Sequence, residues 1–519
     1  MKKRKDKLER IDGVYGVVDV GAHAVRLGIY QHSNGNIETL ENLSIPLRLG
    51  SDVFGKGFIS PENIREAVRI LVDFAAKMRE YDVLDYSAFA TSAVREATNQ
   101  DVFIDRIERV SGLKMKVLQA AEEVKLTHIS VKESLEGRLK LNSRKAIVCN
   151  IGTGASQFFL SDDGRLTNML SLNFGTLRLR EIIQQAHTGK FSVHQAMDDF
   201  TATLLETVSR LVDDQKGADI LIVTGGNARS LLKISHPSRR VANFASIGRR
   251  QLKRIEARIS NNSSAEIAER YGLSDYYATG LEPCCLFIDN LLNHSHSDKV
   301  TVVVADTRSV VLRNMLREKA GQPDLFDKDI LASARVIGRK FRYDHNHSEQ
   351  VLRHSIYLFD ATRDLHQFGS KERLLLGVAA ILHDVGQFVD TRQHHKHSHY
   401  LILNSQMPGV SERELCLAAV IARYHRKAMP KKSHSEYTRL PVKDQMLVSA
   451  LASILRIADA LDRSHDARVE LSDVILKEKS VVLRLSSRKD VSLELLSMKR
   501  KRDLFQNHFC LSVKAEVLG

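Results

Sequence analysis

The sequence predicts two related α/β lobes, followed by a helical domain and a small α+β segment at the C-terminus. A strand, a glycine-containing turn and a return strand occur at Val14–Tyr30 and again at Lys145–Leu160. Beyond residue 325 longer helical periods replace this pattern, and the segment Gly321–Asp324 breaks the chain before them. The repeated unit favours two lobes with a cleft between them over one doubly wound sheet.

The expected domain boundaries follow from these changes of pattern. We expect a first lobe at 12–135, a second lobe at 136–322, a helical domain at 328–472 and the terminal segment at 473–519.

Hydrophobic periodicity predicts the further elements within these domains. The expected helices and strands are, in order, a helix at Asn63–Tyr81, a strand at Ser87–Ala90, a helix from about Asp101, a strand at Asp219–Val223 with a helix after Gly225 and Gly226, a strand at Val300–Val304, and helices at Glu372–Phe388 and Gln445–Asp462. Alternating apolar residues from about Ser472 predict a small terminal sheet.

Composition limits the class of protein. The chain has 519 residues, of which 43% are hydrophobic, so it is globular rather than disordered. Its 77 lysines and arginines against 63 acidic residues give a net charge of +14, which favours anionic partners. There is no CxxC pair among the five cysteines and no run of about 18 apolar residues, so we expect a cytoplasmic protein with no membrane partner.

Glycine turns follow three of the predicted strands, and such turns can cradle phosphate. Asp19 ends the first strand and Gly21 lies in its turn, while Asn150, Gly152, Thr153 and Gly154 repeat the arrangement in the second lobe. Gly225 and Gly226 end a third strand. Glycine lets backbone N–H groups approach a phosphate closely, and a carboxylate at a strand end can hold a hydrated cation beside it. Each turn alone is also compatible with a plain tight hairpin.

Taken together, the turns resemble those of the actin-like ATPase superfamily, which has a duplicated ribonuclease H-like fold. The finer resemblance is to the exopolyphosphatase / guanosine pentaphosphate phosphohydrolase (Ppx/GppA) family. It rests on further segments in the family's order: LRLGSDVFGKGFIS (Leu47–Ser60), ATSAVREA (Ala90–Ala97), LQAAEEVKLTH (Leu118–His128) and SLNFGTLRLRE (Ser171–Glu181).

The resemblance implies hydrolysis of a terminal phosphoanhydride in inorganic polyphosphate or guanosine pentaphosphate, with a divalent metal, Mg or Mn. Glu123 matches the family's catalytic base, and Arg95 matches the arginine that faces the phosphate. By the same resemblance Asp19 helps to hold the metal, and the phosphate-binding set is Asp19, Gly21, Arg26, Asn150, Gly152, Thr153, Gly154, Gly225 and Gly226. Without these motifs, Glu122 and Glu123 would be interpreted as a solvated helix N-terminus.

The chain departs from the family at the phosphate turns themselves. Ala22-His23-Ala24 replaces the family's Ser-Asn-Ser, Asn150 replaces an aspartate, Thr153 replaces a glycine and Gln157 replaces a glutamate. Asparagine and glutamine keep the shape of the acids without their charge, so metal affinity should fall and Gln157 cannot act as a base.

A second candidate site is predicted from histidines in the helical domain. His347, the adjacent His383 and Asp384, and Asp459 resemble the metal ligands of the HD phosphohydrolase superfamily. His395 and His425 are further candidates for a second metal or for phosphate. The alternative for the main set is a hydrogen-bonded polar core left from a former metal site, and the histidine run Gln393–His399 alone is interpreted as a solvated loop.

The leading hypothesis is a Ppx/GppA-like phosphohydrolase that acts in the cleft between the lobes. In the alternative, the lobes are a polyphosphate or nucleotide sensor and the HD-type domain hydrolyses a phosphoester, or the whole chain is a non-catalytic regulator. No nucleic-acid recognition motif competes with these hypotheses. A homodimer is expected only from the resemblance.

Overall fold

The structure is a computed structural model in which the chain divides into two compact units, residues 1–326 and 327–519. It describes residues 11–518 except 137–138, 140, 142–143, 153, 173, 177–178, 180–198, 200–205, 207–217, 236–242, 295–296, 323, 325 and 427. The first unit therefore contains both predicted lobes, and the second contains the helical domain together with the terminal segment. No helix among the described residues is both long enough and apolar enough to span a membrane.

The first lobe is built on a sheet of mixed direction. Its strands are β1 (Gly13–Val20), β2 (Ala24–Ser33), β3 (Asn36–Pro46), β4 (Asp85–Ala90) and β5 (Met115–Val117). The spatial order is β3-β2-β1-β4-β5, in which the first three strands pair antiparallel and β1, β4 and β5 run parallel. The carboxyl ends of β1, β4 and β5 consequently lie at one edge of the sheet.

The second lobe repeats this design. Its strands are β6 (Lys145–Ile151), β7 (Ser156–Asp162), β8 (Arg165–Leu172), β9 (Ile220–Thr224), β10 (Phe244–Gly248) and β11 (Lys299–Val303). The order β8-β7-β6-β9-β11 again places three antiparallel strands beside parallel ones, and β10 adds an antiparallel edge. The prediction of two related lobes is confirmed by this shared topology.

Helices pack on both sheets and bury a separate apolar core in each lobe. Those of the first unit are α1 (Leu49–Lys56), α2 (Pro61–Glu80), α3 (Ser92–Glu96), α4 (Gln100–Ser111), α5 (Ala120–Leu135), α6 (Gly226–Ser235), α7 (Arg249–Ser260), α8 (Ser264–Tyr271), α9 (Asp275–Thr279), α10 (Leu281–His294) and α11 (Thr307–Lys319). Helix α2 begins with Ser60, whose side chain accepts a hydrogen bond from the Asn63 amide, and it buries the apolar stripe that the sequence predicts.

The second unit is a helical array with a small sheet. Its helices are α12 (Asp327–Lys340), α13 (His345–Ala361), α14 (Arg363–His366), α15 (Ser370–Leu382), α16 (His394–Leu403), α17 (Glu412–Arg423), α18 (Ser435–Thr438), α19 (Val442–Ala460), α20 (Ser492–Lys501) and α21 (Asp503–Phe509), with a 3₁₀ turn at Val385–Phe388. The sheet has the order β12-β13-β14, with β12 at Glu470–Lys477, β13 at Ser480–Ser486 and β14 at Ser512–Leu518.

Two sequence expectations in this unit are wrong. The helix expected at Glu372–Phe388 ends at Leu382, and a 3₁₀ turn follows at Val385–Phe388, where Gly386 packs closely against the backbone of α16. The run Gln393–His399 is not a solvated loop, since α16 begins at His394 and buries that side chain.

Candidate functional site

The first candidate site lies where the two lobes meet, around Glu123 in the first turn of α5. Arg95, from α3, donates from Nη1 to Glu123 Oε2 at 2.8 Å and to the Leu118 carbonyl at 2.7 Å. The Glu123 side chain is 15% exposed, so it is a mostly buried carboxylate rather than a solvated one. Its neighbour Glu122 instead caps the helix, accepting a hydrogen bond at 3.0 Å from the Gln119 amide. The two adjacent acids therefore have different roles.

Two amides from the second lobe extend this arrangement into a chain of hydrogen bonds. Asn150 and Gln157 face each other on β6 and β7. Asn150 Nδ2 donates to Gln157 Oε1 at 3.0 Å, and Gln157 Nε2 donates to Glu123 Oε2, also at 3.0 Å. An ionised acid at 157 would have no proton to donate to Glu123, so this hydrogen bond needs the amide of Gln157. Asn150 donates to the same amide, so the two replacements of family acids fit each other.

Burial decides the protonation behaviour of Glu123. It raises the pKa of this carboxyl, while Arg95 and the hydrogen bond from Gln157 act in the opposite direction and the charge of Asp19 adds to the rise. All the hydrogen bonds that the described residues give to its side chain fall on Oε2. Oε1 is the oxygen available to a water, which suits a general base.

The first glycine turn is held by an ion pair. Asp19 and Arg26 are paired across β1 and β2, and Arg26 Nη1 lies 3.0 Å from Asp19 Oδ2. Tyr277 on α9, in the second lobe, lies near Arg26: against the effect of burial, Asp19 and then Tyr277 raise the pKa of the guanidinium. The predicted metal ligand and the predicted phosphate contact therefore neutralise each other, and the arginine joins the lobes.

The other predicted glycines are required by close contacts. A Cβ at Gly152 would overlap the Ala155 carbonyl, one at Gly154 would overlap the Phe54 ring of α1, and one at Gly226 would overlap the Tyr277 ring. Gly225 has φ +114°, a conformation that disfavours any side chain. Thr153 lies outside the described residues.

His23, which replaces a family asparagine, occupies the space beside the first turn. Its ring stacks on Tyr276 of the second lobe, with centroids 3.5 Å apart and planes 20° from parallel. Burial lowers its pKa to about 3, with Arg26 and Arg48 adding to the effect. Neither ring nitrogen has a hydrogen-bond partner among the described residues. Sequence reasoning did not find the two tyrosines, which no motif marks.

The second candidate site is a cluster in the second unit, which we call the histidine–aspartate centre. It consists of four histidines and two aspartates whose side-chain atoms converge: His347, His383, Asp384, His394, His425 and Asp459. A further histidine, His465, forms a group with His347 and Asp384. His347 Nε2 lies 3.2 Å from His383 Nε2 and 3.7 Å from Asp459 Oδ1. These three form one group of possible ligands.

Asp384 belongs to a second group in the same centre. Its Oδ1 lies 3.1 Å from His394 Nε2 and 3.2 Å from His425 Nε2. It is also 3.7 Å from His383 Nε2, which belongs to the first group. Asp384 therefore lies between the two groups of candidate ligands.

The Nδ1 atom of each of the four histidines has a protein partner on the outside of the centre, so each Nε2 atom faces inward. His347 Nδ1 lies 2.8 Å from Asp462 Oδ2, and the other three Nδ1 atoms contact backbone carbonyls at 2.6 to 3.1 Å. This arrangement fixes the tautomer whose free Nε2 lone pair binds a metal.

Electrostatic interactions favour the ligand form of His383 and Asp384, whereas at His347 the effect of burial is outweighed by Asp462, Asp459 and Asp384, which raise its pKa. Burial lowers the pKa of His383 to about 4, so its imidazole is neutral near pH 7. Burial would raise the pKa of Asp384, but His383, His394 and His425 outweigh it and hold the pKa well below the usual range. Neutral imidazoles and ionised carboxylates are the forms that bind divalent transition metals.

The residues therefore fit a pair of divalent cations by the chemistry of their donors. Within the described part of the chain, every group of three ligand atoms lying within 4.8 Å of one another belongs to the second unit. Asp19 joins none of these groups, so its predicted metal role rests on the first turn alone.

Most of the residues that the sequence named for this centre come together in the structure. His347, His383, Asp384 and Asp459 converge, and His425 joins them. His394, not its neighbour His395, forms a group with Asp384 and His425. The metal-binding roles of these residues stay predictions. Asp462, which holds His347, lies one helical turn after Asp459 and could have been found from that spacing.

Comparison with known proteins gives two matches to family models. The model of the Ppx/GppA phosphatase family matches residues 28–318, and that of Ppx/GppA phosphatase, domain III, matches residues 331–506. The second match runs across the expected boundary at 472. The resemblance of this region to the HD superfamily stays a prediction.

Curated relatives are similar over most of their length. A guanosine-5'-triphosphate,3'-diphosphate pyrophosphatase from Aliivibrio fischeri (strain ATCC 700601 / ES114) is 23% identical over 491 residues, which are 92% of this chain and 93% of the relative. The protein of the same name from Vibrio atlanticus (strain LGP32) is 21% identical over 467 residues, 88% of each chain.

A solved structure of an exopolyphosphatase from Cytophaga hutchinsonii shares the fold, with a TM-score of 0.53 and 22% identity, over 59% of this chain and 98% of that one. The shared strand topology of the two lobes, the glycine turns around Glu123 and a family match over more than half of the residues agree with one another. The chain belongs to the Ppx/GppA phosphatase family.

Proposed function

We propose that this chain hydrolyses the terminal phosphoanhydride of inorganic polyphosphate or guanosine pentaphosphate in the cleft of its first unit. The observation that carries the proposal is the placement of Glu123, a mostly buried carboxylate with a raised pKa, between Arg95 and Gln157. The names of two similar proteins, a guanosine-5'-triphosphate,3'-diphosphate pyrophosphatase and an exopolyphosphatase, support this substrate class.

In this mechanism Glu123 orients a water through Oε1 and accepts its proton as the water attacks the terminal phosphorus. Arg95 and the backbone N–H groups of the glycine turns stabilise charge on the equatorial oxygens. Asp19 and the oxygen of Asn150 would hold a cation, since both lie at strand ends beside the turns. Held there, Mg or Mn would supply positive charge that neutralises the phosphate and so favours departure of the leaving group.

The net charge of +14 supports a polyanionic substrate, because it steers such molecules toward the protein and raises their encounter rate. This electrostatic attraction applies equally to a phosphate chain and to a hyperphosphorylated nucleotide. We therefore propose the shared chemistry, a terminal phosphoanhydride, as the substrate class.

The test is phosphate release from polyphosphate and from guanosine pentaphosphate by the parent and by Glu123→Gln. Loss of a general base should lower the rate about 100-fold to 10,000-fold. Glu122→Gln is the matched control, because glutamine can still cap the helix, and it should keep the parent rate. Unchanged release by Glu123→Gln would refute the role of this residue.

A second candidate function belongs to the histidine–aspartate centre. The observation that favours it is the convergence of four Nε2 atoms and two carboxylates, with Asp384 shared between the two groups. Such a centre suits metal-assisted hydrolysis of a nucleotide phosphoester, in which case the lobes act as a sensor.

Asp384→Ala separates the candidates when it is assayed beside Glu123→Gln on the same substrates and on nucleotide phosphomonoesters. Activity that depends on Asp384 and not on Glu123 would assign hydrolysis to the centre. Saturable polyphosphate binding without turnover in any variant would leave the third hypothesis, a non-catalytic regulator.

A further inference from the structure

A lysine from the terminal segment reaches the histidine–aspartate centre. Lys501, the last residue of α20, forms an ion pair through Nζ with Asp459 Oδ2. The two side chains are 14% and 7% exposed, so the pair is largely sequestered from water. Among the described residues, this is the ion pair that joins the centre to a lysine or arginine side chain.

The end of α20 is held in place by a buried arginine. Arg456, on α19 one turn before Asp459, is 0% exposed. Its Nε donates to the Lys501 carbonyl at 3.1 Å, Nη1 donates to the Ala428 carbonyl at 3.2 Å, and Nη2 pairs with Asp503 at 2.5 Å. The helix that carries Asp459 therefore also fixes the backbone of Lys501.

The two oxygens of Asp459 have different neighbours. Oδ1 faces His347 Nε2 at 3.7 Å, and Oδ2 contacts Lys501. A cation bound among the inward Nε2 atoms can use Oδ1 while the lysine keeps Oδ2. The lysine and a metal are thus compatible neighbours rather than competitors for one atom.

The Lys501 side chain is not fully buried. It is 14% exposed, close to the 11% of Asp384 and His394 and more than the 7% of Asp459, while His347 and His383 are 0% exposed. A partly exposed ammonium group can reach an anion that enters from solvent, and it carries three donors, of which the carboxylate uses one.

We propose that Lys501 binds a phosphoryl oxygen of the anion seated on the metal pair of the histidine–aspartate centre. The inference rests on the second candidate function. Two divalent cations would more than balance the two aspartates, and Lys501 adds a further positive charge beside Asp459, which suits a phosphate dianion. The terminal segment is then part of the site rather than an appendage.

The experiment uses the full chain, with Mn²⁺ and inorganic phosphate as probes in calorimetric titrations. Phosphate binding that is present in the parent and absent in Asp384→Ala is assigned to the centre, which removes the contribution of the lobes. Lys501→Met should lower that phosphate affinity about tenfold to a hundredfold, the usual loss of a hydrogen bond to a charged group. Its Mn²⁺ affinity should stay within about threefold of the parent, because the nitrogen and oxygen ligands remain.

Two further variants make the result specific to this ammonium group. Lys499→Met removes an exposed lysine from the same helix and should bind both probes as the parent does. Lys501→Arg keeps the charge and should recover most of the phosphate affinity. Thermal unfolding midpoints of the variants exclude loss of the fold as the cause.

The outcomes separate failure of the inference from failure of the centre. If Lys501→Met binds Mn²⁺ more tightly than the parent and binds phosphate with the parent's affinity, Lys501 only takes the place of a metal cation beside Asp459. The inference is then wrong. If the parent binds no Mn²⁺ that Asp384→Ala loses, the second candidate function fails and the inference fails with it.

Discussion

Replacing Gln157 with glutamate would place a second carboxylate directly beside the proposed base. In the present structure Gln157 Nε2 donates to Glu123 Oε2 at 3.0 Å, and Asn150 donates to the other end of the same amide. Glutamate keeps the acceptor for Asn150 but presents an oxygen, not a proton, to Glu123. The variant therefore exchanges a hydrogen bond for a repulsive contact.

The magnitude follows from the distance. Two unit charges 3.0 Å apart repel by about 5.5 kcal/mol at an effective dielectric constant of 20, an upper limit that corresponds to about 4 pKa units. Arg95 offsets part of this repulsion. We expect the pair to titrate with one apparent pKa raised by at least about one unit. A bound cation relieves the same repulsion as a proton does, so high Mg²⁺ should reverse the shift.

The assay is the pH dependence of kcat/KM for phosphate release at low and at high Mg²⁺. For Gln157→Glu, the acid limb should move to higher pH at low Mg²⁺ and return toward the parent position at high Mg²⁺. Gln157→Met is the control, because it removes the hydrogen bond without adding charge and should give a limb that Mg²⁺ does not move. A Gln157→Glu profile identical to that of the parent at both Mg²⁺ concentrations would refute this account of the site.

Three further outcomes are expected. In the parent, burial raises the pKa of Glu123, so activity should fall as pH drops through a midpoint above that of an exposed glutamate; a kcat/KM profile with a midpoint at the ordinary value would contradict this. Gly154→Ala should lower the free energy of unfolding by about 1 to 3 kcal/mol in urea titrations, because its Cβ overlaps Phe54, and the same substitution should cost much less in a Phe54→Ala background. Asp384→Ala should reduce the Mn content of dialysed protein, measured by elemental analysis, whereas His395→Ala should not; equal loss in both would contradict the ligand assignment.

The sequence predicted those features that depend on local pattern. Strand β1 ends at Val20 and its partner begins at Ala24, as alternation of β-branched residues around the glycine indicated. The duplicated topology followed from the recurrence of that pattern at β6 and β7. Glu123 was found because its surrounding motif is specific to the family, even though paired acids alone indicate only a helix start.

Features that depend on packing between distant segments could not be predicted. Tyr276 and Tyr277 reach the first turn across the cleft, and no spacing marks them. Whether His394 or His395 faces the centre depends on how α16 is rotated against α15 and α17. A run of adjacent histidines in the sequence does not indicate that rotation. Lys501 lies 42 residues after Asp459. It belongs to the terminal segment, which the alternation of apolar residues indicated to be separate from the helical domain.

The ion pair between Asp19 and Arg26 has a consequence for the order in which ligands bind. An arriving phosphate that takes the guanidinium of Arg26 withdraws it from Asp19, which then regains a free carboxylate for a cation. If Arg26 binds phosphate and Asp19 binds a cation, as the family resemblance predicts, each ligand frees the residue that the other needs. By reciprocity, the phosphate affinity would then rise on cation binding by the same factor as the cation affinity rises on phosphate binding. Without ligands, the ion pair keeps these two charges neutralised at the carboxyl end of β1.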